Sequence, residues 1–135
     1  MSALPTLVRL AKRRAEDLQR ALAVLEDQRR ATEARLEEHD RIVKAEQAMA
    51  NGVAFAAFGN FAQAALQRKG ILLKELARQE AEAEAMRATL SEAFVELKKL
   101  ETLAENQAIR EADEENKREQ AMLDDVAGAA MARRT

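Results

Sequence analysis

The sequence predicts an all-α fold, an antiparallel two-helix coiled-coil hairpin with a longer second helix, and three observations carry that reading. Nearly two thirds of the 135 residues are Ala, Glu, Leu, Lys or Arg, a bias typical of long helices and coiled coils. Four Gly and one Pro punctuate the chain, too few for the turns of a sandwich or barrel. The aromatics are four Phe, with no Trp or Tyr, so there is little bulk for a thick globular core, and much of the 47 % hydrophobic content is Ala, which suits close helix contacts. Length and pattern together predict one elongated coiled-coil domain over residues 1–135.

Helix one is expected over about residues 4–50. Leu4, Val8, Ala11, Ala15, Leu18, Leu22 and Leu25 recur at alternating steps of four and three, a heptad seam. The frame continues through Arg29, Thr32, Leu36, His39, Val43, Glu46 and Ala50, weakening in its middle. A straight helix drifts against a strict seven-residue repeat, so neighbours such as Ile42 can take over late seam positions. Ser2 or Thr6 is placed to cap the start.

The chain is expected to reverse over residues 51–61, where Asn51-Gly52 is a helix-stop and turn signal and Gly59-Asn60 a second one. Helix two is expected over about 62–127. Leu66, Leu73, Leu76, Ala83, Leu90, Phe94, Leu97, Ala104 and Ala108 share one frame, with Leu72, Met86, Leu100 and Leu103 beside it. Gly70 costs roughly 1 kcal/mol relative to Ala inside a helix, which the surrounding pattern can carry. A reversal near residue 56 pairs position i with about 112 minus i. That sets Leu36 against Leu76, Leu22 against Leu90, Leu18 against Phe94, Ala15 against Leu97 and Val8 against Ala104. From about residue 106 the second helix outruns the first, and its frame turns to Glu111, Glu115, Arg118 and Asp125, a polar helical overhang.

Charge and motif content exclude several function classes. With 22 basic and 24 acidic residues the net charge is −2, which creates no global field for nucleic acid or an anionic membrane. The basic cluster Arg9, Lys12, Arg13 and Arg14 reads either as a contact for phosphate or an acidic protein or as solvated helix surface. Without cysteine there are no disulfides or thiolate metal sites. The first residues lack the apolar run of a secretory signal, and Gln47 to Gln67 is too polar for a membrane span, so a cytoplasmic location is the default. Neither GxxxxGK[ST] nor GxGxxG occurs. His39, the single histidine, sits on the seam, where packing is a simpler role than metal ligation. No catalytic, cofactor-binding or metal-ligating residue is expected, and no enzyme. Two apolar groups remain as docking candidates. Phe55, Phe58 and Phe61 at the tip either fold back over Met49 and Leu66 or stay partly exposed. On the overhang, Ile109, Met122, Leu123, Val126 and Met131 form an intermittent strip, read either as a partner site or as a solvated tail.

The pattern resembles the flagellar export protein FliJ family, whose relatives in virulence secretion systems are also short two-helix proteins. The resemblance rests on a heptad first helix of this length and on Asn51-Gly52-Val53 followed by Phe58, Asn60 and Phe61. Its most specific part is the terminal run Glu119-Gln120-Ala121-Met122-Leu123-Asp124-Asp125-Val126-Ala127 with Arg133 and Arg134 behind it. Family members often close with Gln-Lys-x-Leu/Met-Asp-Glu-x-Ala and a basic tail; here Ala121 stands for the lysine and Asp125 for the glutamate.

The resemblance implies a non-catalytic part of the type III export apparatus, similar in shape to the stalk of rotary ATP synthases. Such a protein inserts into the hexameric flagellar export ATPase, promotes its activity, and links it to the cytoplasmic domain of the export gate membrane protein and to export chaperones. Nucleic-acid binding and direct membrane insertion are not implied, nor is any cofactor; the location would be cytoplasmic and peripheral to the cell membrane. Mapped onto this chain, the ATPase ring would meet Leu4, Arg13, Arg14, Ile109, Met122, Leu123, Asp124, Asp125, Arg133 and Arg134. The gate would meet Thr32, Leu36, His39 and Val43 of helix one, with Phe61, Leu66 and Leu73 of helix two. Members often carry aromatics where His39 and Val43 stand. The alternative is a structural coiled-coil scaffold or homodimer without ATPase coupling; a third reading is a chaperone that clasps clients with its Phe-bearing tip.

Overall fold

The structure, a computed structural model, describes residues 3–50 and 55–134. It is all-helical: α1 (Leu4–Ala50) and the longer α2 (Phe55–Arg134) pack against each other as a hairpin. The Asn51-Gly52 turn signal lies outside the described residues, as does the candidate cap Ser2. Thr6 is not the cap: it lies in the first turn, where its Oγ1 accepts a hydrogen bond from Arg9 Nη2 at 3.3 Å. The first helical bond runs from the Leu7 N–H to the Ala3 carbonyl at 3.0 Å.

Helix α2 begins at Phe55 rather than near 62 and ends at Arg134 rather than near 127. Gly59-Asn60 and Gly128 are therefore inside it. A glycine costs a helix only about 1 kcal/mol, and it stops one when the next residues cannot continue it. Here alanines surround both sites, and Arg133 and Arg134 in the last turn complement the negative end of the helix dipole.

The chain divides into two compact units, one made of Ala15–Glu92 and the other of Met1–Arg14 with Ala93–Thr135. In the first, α1 withdraws Ala15, Leu18, Leu22, Leu25, Arg29, Thr32, Leu36, His39 and Val43 from solvent, in the frame read from the sequence. Ile42 stays outside that seam, exposed. From α2 come Ala62, Ala65, Lys69, Leu72, Leu76, Gln79, Ala83, Met86 and Leu90, again at alternating steps of three and four. Lys69 reaches Asp40 at 3.0 Å and Arg87 reaches Glu26 at 3.3 Å. Both pairs run antiparallel and fall within one turn of the expected pairing.

The most deeply buried side chains of this unit are small or polar: Ala15, Ala65, Ala83, Thr32 and Gln79. Two helices can enclose a side chain fully only where they approach closely, and small residues permit that approach. The larger Leu18, Leu22, Leu25, Leu36, Leu72, Leu76 and Leu90 stay half-buried, each with one side toward water. Thr32 satisfies its hydroxyl within its own helix, donating to the Gln28 carbonyl at 3.1 Å. Gln79 is only partly satisfied: its Nε2 donates to Glu75 at 3.2 Å while its Oε1 is buried without a partner.

In the second unit Leu4, Val8 and Ala11 of α1 and Ala93, Leu97, Leu100, Ala104 and Gln107 of α2 are withdrawn from solvent. Gln107 is the last; from Ala108 to Arg134 every side chain is exposed.

The frame expected for α2 is corrected in part. Leu76, Ala83, Leu90, Leu97 and Ala104 hold seam positions, but Leu66, Leu73, Phe94 and Ala108 are exposed. The row that accompanies the seam is Leu72, Gln79, Met86, Ala93, Leu100 and Gln107, which carries no charge. The rejected row one residue later contains Glu80, Arg87 and Glu101, whose burial would cost several kcal/mol per unpaired ion.

Candidate functional site

Within the Ala15–Glu92 unit the expected gate-contacting residues do not form one surface. Thr32 is buried at 1 % exposure, and Leu36, His39, Val43 and Phe61 are half-buried. Leu66 and Leu73 are exposed, at 71 % and 48 %. Their place follows from the α2 frame: with Ala65, Leu72 and Leu76 turned inward, Leu66 and Leu73 fall on one flank.

That flank carries an open groove of about 310 Å³ in which Val43, Phe58 and Leu66 meet His39, Asp40 and Lys69. The Phe58 and Phe61 rings are 6.2 Å apart and tilted at 32°, an ordinary aromatic pair. Both rings are half-buried, while Met49 and Leu66 are exposed, so these two rings do not cover either side chain. The Phe55 side chain lies outside the described residues. The Lys69 ammonium donates to Asp40 and holds its carboxyl below the usual carboxylate range, against a smaller opposing effect of burial.

The opposite flank holds a second open groove, of about 570 Å³, where Ile42, Ile71 and Leu72 meet Ala34 and His39 between Arg35, Glu38 and Arg68. Ile42 and Ile71 are large exposed apolar side chains that the heptad reading passed over as docking candidates. Their signal in the sequence is a β-branched residue immediately beside a seam position, Val43 and Leu72 respectively. His39 lines both grooves, and neither of its ring nitrogens has a hydrogen-bond partner; Asp40 Oδ1 is 3.9 Å from Nδ1. Farther along, Glu75 accepts hydrogen bonds from Arg78 and Gln79, and the Arg78 contact above all lowers its pKa. Arg78 is correspondingly raised by Glu75 and Glu82. These contacts join residues three or four apart on one helix and are screened by solvent, so they support the helix locally rather than the packing between helices.

Of the expected ATPase-facing residues, all in the other unit, Leu4 is half-buried on the seam and Arg13 and Arg14 are exposed. Ile109, Met122, Leu123, Asp124, Asp125, Arg133 and Arg134 are exposed on α2. Leu7 and Leu10, exposed on α1 beside the basic cluster, are further apolar groups there. No cluster of His, Cys, Asp or Glu among the described residues can hold a metal ion, and no helix is long and apolar enough to cross a membrane.

Convex helix faces and shallow grooves suit protein contacts. A family model described as "Flagellar FliJ protein" matches residues 1–135. The chain belongs to the flagellar FliJ family. It is thereby a non-catalytic component of the flagellar export apparatus, built as a helical hairpin. Comparisons with curated proteins and with solved structures gave no match.

Proposed function

We propose that this FliJ-family chain acts as the stalk-like coiled coil of the flagellar export machine. It inserts the exposed end of α2 into the hexameric export ATPase, promotes hydrolysis, and links the ring to the cytoplasmic domain of the export gate and to export chaperones. It works in the cytoplasm, held at the membrane's cytoplasmic face through those partners. The observation that carries the proposal is residues 108–134. They continue one helix with every side chain exposed, including Ile109, Met122, Leu123 and Val126. A single helix of that kind lacks the tertiary packing that gives most helices their stability, so it is suited to a partner that encloses it. Gate contact is assigned to the flank bearing Leu66 and Leu73, with His39 and Val43 partly accessible beside Leu66; buried Thr32 and half-buried Leu36 and Phe61 support that flank from within.

The test is ATP hydrolysis by the cognate export ATPase with the full-length chain and with a version ending at Asn106. Stimulation by the first and none by the second is expected, with helicity of the shortened chain retained per residue. Equal stimulation by both would move the ring contact elsewhere. No stimulation and no ring binding by a folded full-length chain would favour the scaffold reading. Leu66→Asp with Leu73→Asp, both on exposed positions, is expected to abolish gate binding while leaving ATPase stimulation intact.

A further inference from the structure

The flank of the Ala15–Glu92 unit that bears Ile42 and Ile71 carries a feature the stalk reading leaves unused. Both ion pairs that join the helices of this unit, Lys69 with Asp40 and Arg87 with Glu26, stand on the other flank, Asp40 and Glu26 being two heptads apart on α1. Among the described residues no ion pair crosses the Ile42 flank. It holds instead the open groove of about 570 Å³ floored by Ile42, Ile71 and Leu72, with Ile42 and Ile71 exposed at 48 % and 68 %.

The spacing, charge and register of this flank specify what fits it. Val24, Gln28, Ala31, Arg35, Glu38 and Ile42 follow one another on α1 at alternating steps of four and three, each immediately before a seam residue, and all six are exposed. A helix laid beside α1 on this side therefore meets the same period that the seam offers to α2. The charged side chains lining the groove are Arg35, Glu38 and Arg68. Arg41 holds Glu38, and farther along α2 Arg78 holds both Glu75 and Glu82. Glu75 is lowered first by its hydrogen bond from Arg78 and least by Arg35. Arg35 and Arg68 have no salt bridge among the described residues, so each is a cation open to a carboxylate from outside. The crossing ion pairs set residue 40 beside 69 and 26 beside 87. Arg68 is thus level with about Ile42, two heptad turns from Arg35 and about 10 Å from it along the axis at 1.5 Å per residue, with Ile71 between them.

We infer that this groove takes a helix of another protein that carries two carboxylates seven residues apart, with apolar side chains at the third and fourth positions between them. The carboxylates meet Arg35 and Arg68, and the apolar pair sits against Ile42, Ile71 and Leu72, an amphipathic helix in a groove fixed at both ends by charge. The chain itself does not supply such a segment. Its acidic pairs seven apart are Glu26 with Glu33, Glu33 with Asp40 and Glu75 with Glu82, and none has apolar residues at both intervening positions. A second copy is therefore not the occupant. The site lies on the flank opposite Leu66 and Leu73, so it is separate from the proposed gate contact and shares only His39 with the groove there.

The test uses the purified full-length chain and a fluorescein-labelled helical peptide of alanine and glutamine, with two glutamates seven apart and leucines at the third and fourth positions between them. Fluorescence anisotropy is expected to show saturable binding below about 1 mM. A second peptide with lysine in place of both glutamates should bind about tenfold more weakly. Arg35→Glu with Arg68→Glu should reverse that preference, which a merely structural effect of the two substitutions would not do. Ile42→Ser with Ile71→Ser, both at exposed positions, should abolish binding with helicity unchanged. Absence of saturable binding, equal binding of the two peptides, or binding untouched by the isoleucine substitutions overturns the proposal. So does a dimer of the chain alone, seen by sedimentation equilibrium, that Ile71→Ser dissociates, since the groove would then belong to a second copy. All of these are read without the ATPase or the gate, so failure of the stalk reading leaves the result intact.

Discussion

Ala83 and Val126 lie on the same helix, yet Ala83 is wholly buried and Val126 is 65 % exposed. Around Ala83 the unit of Ala15–Glu92 encloses its alanines, a threonine and a glutamine most deeply, while its leucines keep contact with water. Around Val126 the helix has no second helix beside it, and Met122, Leu123, Val126 and Met131 are all open. The contrast separates what stabilises the hairpin from what is free to bind. Burial here follows from how closely two helices can approach, so the smallest side chains are innermost and the large apolar ones remain available for contacts.

The hardest test of that contrast is Ala83→Glu. It places a charge where there is neither space nor solvent, and is expected to destabilise the folded chain by about 3 kcal/mol or more. Loss of the cooperative thermal transition followed by circular dichroism would show it; an unchanged transition would mean that the helices are not in close contact at this point. A smaller effect of opposite sign is expected at Gln79, where Leu removes a buried carbonyl oxygen without a partner. Gln79→Leu should stabilise by about 1 kcal/mol, read as a rise in the midpoint of urea unfolding. Val126→Glu, on the exposed side of the comparison, should change stability by less than about 0.5 kcal/mol even though it replaces a larger hydrophobe than Ala83.

The smallest effect concerns pH. Asp40 has its pKa lowered from 3.8 in the folded chain, first by the hydrogen bond from Lys69. A carboxyl depressed on folding contributes stability above its unfolded value, and that contribution fades as pH falls below about 4 and through the folded value. Lys69→Met removes the partner. The melting temperatures of the two proteins should therefore differ slightly at pH 7 and converge below pH 4; a difference that persists unchanged at low pH would assign the effect of Lys69 to packing of its stem.

Much of this architecture was readable in residue spacing. Every α1 position from Leu4 to Val43 in the heptad reading is withdrawn from solvent, because alternate steps of four and three leave one choice of face. On α2 the spacing was ambiguous: Leu72 and Leu73, or Ala93 and Phe94, offer apolar residues at adjacent positions. The charges at Glu80, Arg87 and Glu101 held the deciding information, since a row containing them cannot be buried without partners. The residues proposed to meet the gate were harder to place for the same reason. A heptad frame marks seam residues such as Thr32, and those are the ones least able to meet a partner.

The sequence by itself determined two long helices, the inward face of α1 and an α2 longer than its neighbour, since helix propensity and apolar period are local properties. The tertiary structure decided which of two adjacent rows of α2 turns inward, that Gly59-Asn60 lies inside a helix, and that Leu66, Leu73, Ile42 and Ile71 stay exposed. Those outcomes depend on the rotation of one helix about its axis against the other. That rotation is set by close packing at Ala65 and Ala83 together with the cost of burying charge, a balance that exists only once both helices are present.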